Sequence, residues 1–134
     1  MATVSMVTLL SQNDVYWFDD GSVTPSGAIT TINTTGNMSV ERLLSAGKGT
    51  DVASAATIIA TGNIFHVTGT TTITSVSGTG IAAGTVITII FDGILTFTDG
   101  SNLKLAGNFT TSADDTITLQ YDGSNWYELC RSVN

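Results

Sequence analysis

The chain has 134 residues, with 4 basic against 11 acidic side chains, a net charge of −7. Only 11% of residues are charged and 42% are apolar, against the roughly 25% charge usual in soluble domains. With Arg42, Lys48, Lys104 and Arg131 as its whole scattered supply of cations, the chain lacks the clustered charge needed to bind nucleic acid or an anionic membrane surface.

In chain order, nearly every periodic segment has period two, the spacing of a half-buried strand. Residues 3–10 predict a first strand. Val15-Tyr16-Trp17-Phe18 is a short apolar run stopped by the turn residues Asp19-Asp20-Gly21. Residues 22–36 are rich in Thr, Ser and Gly and hold the single proline, Pro25; they read as an irregular connection or an extended arm. Ser39 to Gly47 is the one plausible helix, with Ser39 as cap, Glu41 in the first turn and Gly47 as stop. At two turns it needs packing to persist. Residues 51–60 fit helix or strand equally.

From Ile64 the pattern sharpens. Strands are predicted at 64–68, 70–76 and 85–91, and Ile89-Ile90-Phe91 suggests burial on both faces. Shorter runs follow at 94–98 and 103–105, then 116–121 and 126–132. Asp-Gly-Ser-Asn occurs twice, at 99–102 and 122–125, each time between two strand-like runs. Asp-Gly between alternating runs is a strong hairpin signal, because glycine accepts positive φ without strain. In the last hairpin, Ile117, Leu119 and Tyr121 share one face; Tyr127, Leu129 and Val133 share one face of the return strand, with Trp126 on the other. That strand is apolar on both sides near its start, so both sides are packed or one meets another chain. Thr at 24 positions and Ser at 13 leave many outward positions uncharged, a surface poorly defended against pairing. Association between copies relieves that exposure.

Chemistry is sparse. The most apolar stretch, 86–97, is interrupted by Thr88, Asp92, Gly93 and Thr96 and falls short of the ~20 residues a membrane span needs. No basic segment precedes Gln12-Asn13-Asp14, so no secretory leader is expected. Cys130 is the only cysteine, so no disulfide framework forms within the chain; no basic cluster near it in sequence marks it as a nucleophile. His66 is the only histidine, without a nucleophile motif such as Gly-x-Ser-x-Gly, and reads as an ordinary strand residue. Asp19-Asp20 and Asp114-Asp115 are adjacent carboxylates that a strand would point to opposite faces, unlike a glycosidase pair; turn duty explains them better. No twelve-residue loop of alternating acids marks a calcium site. Asn33, Asn37 and Asn108 head glycosylation sequons that a Ser/Thr-rich chain produces by chance. The aromatic clusters Tyr16-Trp17-Phe18 and Trp126-Tyr127 fit core packing, or an interface or sugar platform; as interface candidates the residues are Tyr16, Trp17, Phe18, Trp126 and Tyr127.

Over residues 65–133 the sequence resembles a module common at the C-terminal ends of tailed-bacteriophage tail fibre, tailspike and related virion proteins. The likeness rests on Val67-Thr68-Gly69-Thr70-Thr71-Thr72-Ile73-Thr74-Ser75-Val76, Ile89-Ile90-Phe91-Asp92-Gly93-Ile94-Leu95-Thr96-Phe97 and Ser101-Asn102-Leu103-Lys104-Leu105-Ala106-Gly107. Asp115-Thr116-Ile117-Thr118-Leu119-Gln120-Tyr121-Asp122-Gly123 and Trp126-Tyr127-Glu128-Leu129 complete it. The resemblance implies an all-β, usually trimeric, non-enzymatic module, with no catalytic residue to carry over. Fibres and tailspikes place hundreds of residues before this module; here about 60 residues, starting at Met1, precede it, and they hold no shaft repeat.

The expectation is therefore an all-β protomer, a compact antiparallel β-sandwich or barrel-like fold with a short β-helix as the alternative, assembled as a homotrimer. Residues 1–60 form an attachment arm and 61–134 a β-domain knob. The expected role is a capsid decoration (cement) protein on the exterior of a phage particle, its partners itself and the major capsid protein or another virion protein. A tail fibre or tailspike tip binding host glycan is the alternative, with a small polysaccharide-degrading enzyme well behind. No cofactor, metal, nucleic-acid or membrane partner is expected.

Overall fold

The computed structural model describes residues 45–134. They form ten strands and no helix: β1 (Val52–Ala53), β2 (Thr57–Ile59), β3 (Ile64–Thr68), β4 (Ser75–Ser77), β5 (Val86–Phe91), β6 (Thr96–Phe97), β7 (Leu103–Lys104), β8 (Phe109–Thr110), β9 (Thr116–Tyr121) and β10 (Trp126–Ser132). The strands at 64–68, 116–121 and 126–132 fall where alternation places them, and the undecided stretch 51–60 resolves into β1 and β2. The helix expected at 39–47 lies outside the described residues except for 45–47, which are not helical.

Six strands make one curled mixed sheet in the order β1-β3-β5-β9-β10-β7, with two smaller ladders, β2-β4 and β6-β8. The expected antiparallel order holds only in the C-terminal part. β5 and β9 run antiparallel, as do β9 and β10, but β1-β3, β3-β5, β2-β4 and β10-β7 are parallel. The reason is that the chain leaving β1 does not reverse beside it. It crosses to β2, turns at Thr61-Gly62-Asn63 and re-enters the main sheet as β3, one strand further along. The next circuit, β3 to β4 to β5, repeats the path, so successive passes stack in parallel. Val52 lies beside Val67 and Val67 beside Phe91.

Glycine is required where these circuits touch. An added Cβ on Gly49 would lie 2.5 Å from the Thr61 carbonyl carbon, and one on Gly62 would lie 2.5 Å from the Gly49 nitrogen. Both obstacles are backbone and cannot yield. The close approach is sealed by Gly49 N–H to Ile64 O (2.8 Å) and Asn63 N–H to Gly47 O (2.9 Å). Residues 48–59 pair into the main sheet and the β2-β4 ladder with the strands that follow.

One core fills the space between the main sheet and the smaller ladders. The sheet contributes Phe65, Val67, Ile87, Ile89, Phe91, Leu103, Ile117, Leu119, Tyr121 and Trp126; the opposing layer contributes Ile58, Ile73, Val76, Leu95, Phe97 and Phe109. Phe91 meets Phe97 and Phe109 edge-on, each at 5.8 Å between centroids, the geometry favoured by the aromatic quadrupole. The expected shared face of Ile117, Leu119 and Tyr121 is buried. Ile90 is only half-buried, so β5 buries one face completely, and the two-sided burial expected for 89–91 does not occur.

The two Asp-Gly-Ser-Asn copies diverge. The second makes the expected β9–β10 hairpin: Asp122 N–H donates to Asn125 O (3.0 Å), Gly123 takes φ +104°, and the Asp122 carboxylate accepts from the N–H groups of Ser124 and Asn125. These two contacts, led by Asn125, hold the Asp122 carboxyl below its ordinary pKa. The first copy joins strands that do not pair with each other; β6 pairs with β8 and β7 with β10. Its Asn102 reaches across instead, donating from Nδ2 to Val76 O (2.6 Å) and accepting from Val76 N–H, while its own carbonyl accepts from Trp126 N–H.

Candidate functional site

The side of the main sheet turned away from the core presents an ordered surface. Alternation and register place its residues in rows across four strands. Val86, Gln120 and Tyr127 form one row; Ile64, Thr88, Thr118 and Cys130 the next; His66, Ile90, Thr116 and Ser132 the third. No Asp, Glu, Lys or Arg stands in them. Thr88 and Thr118 hydrogen-bond through their hydroxyls at 3.1 Å, a cross-strand pair of the kind that stabilises a sheet without charge. Val86 and Tyr127 are exposed at 37% and 44%.

β10 carries an irregularity that decides which side chains reach this face. Its pairing with β9 shifts between Glu128 and Cys130, leaving Leu129 as the extra residue of a bulge. Parity reverses beyond it. The expected alternation of Tyr127, Leu129 and Val133 therefore fails: Cys130 and Ser132 take the outer register beside Tyr127, and Leu129 protrudes, 55% exposed. The same reversal carries Arg131 to the side of Glu128, where a regular strand would hold them on opposite faces. Arg131 donates from Nε and Nη2 to the two Glu128 carboxylate oxygens and from Nη2 to Gly107 O, and Ala106 N–H donates to Glu128. The guanidinium lies 4.7 Å from the centre of the Phe109 ring, within cation–π range. The Arg131 hydrogen bonds, opposed by partial burial, hold the Glu128 carboxyl below its usual pKa, and the Arg131 pKa is raised by the same bonds. Nothing in the sequence marks this bulge, so the pair is invisible there.

Of the two C-terminal aromatics taken as interface candidates, Trp126 is fully buried within its own chain. Its ring stacks at 4.8 Å on Tyr121 and its Nε1–H donates to Val76 O (3.1 Å), so it is a core ring. Tyr127 is at the surface beside Asp122, whose charge raises the Tyr127 pKa. Tyr16, Trp17 and Phe18 lie outside the described residues.

The titratable groups are occupied with structure. His66 Nδ1 lies 2.6 Å from Asp92 Oδ1 at the margin of the outer face. Buried Asp115 accepts from Ser112 N–H (2.7 Å) and Asn134 N–H (2.8 Å), tying the C-terminal residue to the start of β9; the Asn134 contact leads in lowering its pKa. Asp114, at φ +68°, forms the preceding turn. Among the described residues no three of His, Cys, Asp or Glu gather at metal-binding distance. A cleft of about 250 Å³ lined by Ala60, Thr61, Gly62, Asn63, Ile81, Thr85 and Ile87 carries no titratable side chain. No protein family, curated protein or solved structure matches the chain.

Proposed function

We propose that this chain is a structural protein of a tailed-bacteriophage particle, a capsid decoration protein that associates as a homotrimer and binds the exterior of the head shell. The observation that supports an assembly role is the outer sheet face: rows rich in Thr, Ile, Val and Tyr across four strands, with no Asp, Glu, Lys or Arg among them, in a chain of net charge −7. Surfaces of that composition favour burial against protein. The resemblance of residues 65–133 to virion modules directs the reading to a phage particle. The N-terminal region before the strands, with Tyr16, Trp17 and Phe18, serves as the part that contacts the shell. Stabilisation follows from mass action, because a ligand that binds only the assembled shell favours it over rupture.

Quantitative mass spectrometry of purified virions tests this. A copy number on the scale of the shell subunits is expected; a copy number at the few-per-particle level of a tail tip refutes the decoration role. The second reading, a tail tip that binds host glycan, is favoured by one feature: Tyr127 exposes an aromatic ring beside the Asp122 carboxylate, the pairing of ring face and acceptor that sugars engage.

A further inference from the structure

We propose that residues 129–134 form an acid-released strap: while Asp115 and Glu128 are ionised it lies along β9, and when both are protonated it swings out about the Leu129 bulge and leaves the edge of β9 open. The inference is independent of the assembly reading above.

Little apolar surface holds this segment. Of residues 129–134 only Arg131 is half-buried and the rest are exposed, whereas β9 beside it buries Ile117, Leu119 and Tyr121. β10 is flanked on both sides only at Trp126 and Tyr127, which pair with β7 as well as β9. Beyond the bulge it has the β9 ladder alone, through Cys130, Arg131 and Ser132. A strand end with one ladder and no core side chain opens at a small fraction of the cost of global unfolding.

The side-chain contacts of the segment converge on two carboxylates, one at each end. At the bulge, Arg131 donates to Glu128 and lays its guanidinium over the Phe109 ring. At the far end, Asp115 accepts the N–H groups of Asn134 (2.8 Å) and Ser112 (2.7 Å), and Asn134 Nδ2 donates to Asp114 O. Protonation ends the ion pair at Glu128 and weakens Asp115 as an acceptor. Both carboxyls lie below their ordinary pKa in the fold, Asp115 through Asn134 first and Glu128 through Arg131 first. Their hold is therefore complete at neutral pH and is lost as pH falls through the folded-state values. Other charges near them are few. Lys104 on β7 donates to Ser101 O, the β7–β8 connection brings only Ala106 N–H and Gly107 O to the pair, and Asp92 at the end of β5 is turned to His66. No charged side chain shifts Asp115. The start of β10 has no such dependence, because Trp126 is held by apolar burial and by its Nε1–H bond to Val76 O. Acid thus frees the strand beyond the bulge, bares one side of Phe109 and leaves Trp126 in the core.

Hydrogen exchange of the full chain, read by mass spectrometry and corrected for the intrinsic effect of pH on exchange, follows the strap directly. Between pH 7 and about pH 3 the protection of residues 129–132 should fall about tenfold or more while β5 keeps its own. Asp115→Asn combined with Glu128→Gln should show the lowered protection already at pH 7 and little further change in acid. If the double variant does not fold, each single variant should show part of that loss at pH 7. Protection of residues 129–132 that is unchanged in acid, or that falls only in step with β5, overturns the strap. So do folded variants that keep the parent's protection at pH 7, since the two carboxylates would then not be what holds the segment.

Discussion

Replacing Arg131 with methionine isolates the pair that the β10 bulge creates. Methionine keeps an unbranched apolar stem over Phe109 but removes both hydrogen bonds to Glu128 and the one to Gly107 O. Glu128, with 9% of its side chain exposed, then retains Ala106 N–H as its protein donor. Breaking a fully buried ion pair costs about 3–5 kcal/mol. This pair sits at the end of the sheet with 22% of the Arg131 side chain in contact with solvent, so about 2–3 kcal/mol is expected. The cost depends on pH in a defined direction. The folded-state pKa of Glu128 is depressed below its reference of 4.5, so its stabilising contribution is present above that value and fades as pH falls through the folded-state pKa. The parent loses this contribution in acid, whereas the variant, lacking the cation, has little to lose. Urea unfolding of both proteins at pH 7 and near pH 3 should therefore show the stability gap narrowing in acid. A gap under about 0.5 kcal/mol at pH 7, or one of equal size at both pH values, would refute the argument that Arg131 acts through the charge on Glu128.

Other outcomes follow from the same contacts. Trp126→Phe removes one of two donors on the Val76 carbonyl, leaving Asn102 Nδ2 in place, so the hydrogen-bond loss is about 1 kcal/mol, whereas Trp126→Ala should cost about 3–5 kcal/mol through the cavity it opens; equal losses in denaturant unfolding would contradict this. Gly78→Ala should destabilise strongly, because the new Cβ would lie 2.0 Å from the Tyr121 hydroxyl oxygen and 2.4 Å from its Cζ, on a core ring; an unchanged melting temperature would show that the ring moves freely. Asp115→Asn should lower the melting temperature at neutral pH and flatten its fall in acid. An amide has one acceptor oxygen for the two N–H groups that the carboxylate now serves, and the depressed pKa of Asp115 means its contribution disappears as pH drops below 3.8 through the folded-state value. A parallel acid response in parent and variant would assign the sensitivity elsewhere.

The sequence by itself determined which residues form strands and which face of most strands is apolar, because alternation is local: Ile64–Thr68, Thr116–Tyr121 and Trp126–Ser132 fall where the period predicts, and Ile117, Leu119 and Tyr121 turn inward together. It also determined the last hairpin, since Asp122-Gly123 builds its turn from its own atoms. Strand partnership was settled only in three dimensions. Both Asp-Gly-Ser-Asn copies are chemically alike and both turn the chain, the first through a single Gly100–Leu103 bridge, yet only the second joins two strands that pair with each other, because in the first Leu103 is taken up beside Trp126 and Asn102 is drawn to Val76. The parallel stacking of β1, β3 and β5 depends on backbone meeting backbone at Gly49 and Gly62, thirteen residues apart. The bulge at Leu129 likewise has no local signature, although it sets whether Arg131 turns to Glu128 and whether Cys130 reaches the outer face. Local periodicity states that a residue points to one side or the other; only the register against a distant strand states which side that is.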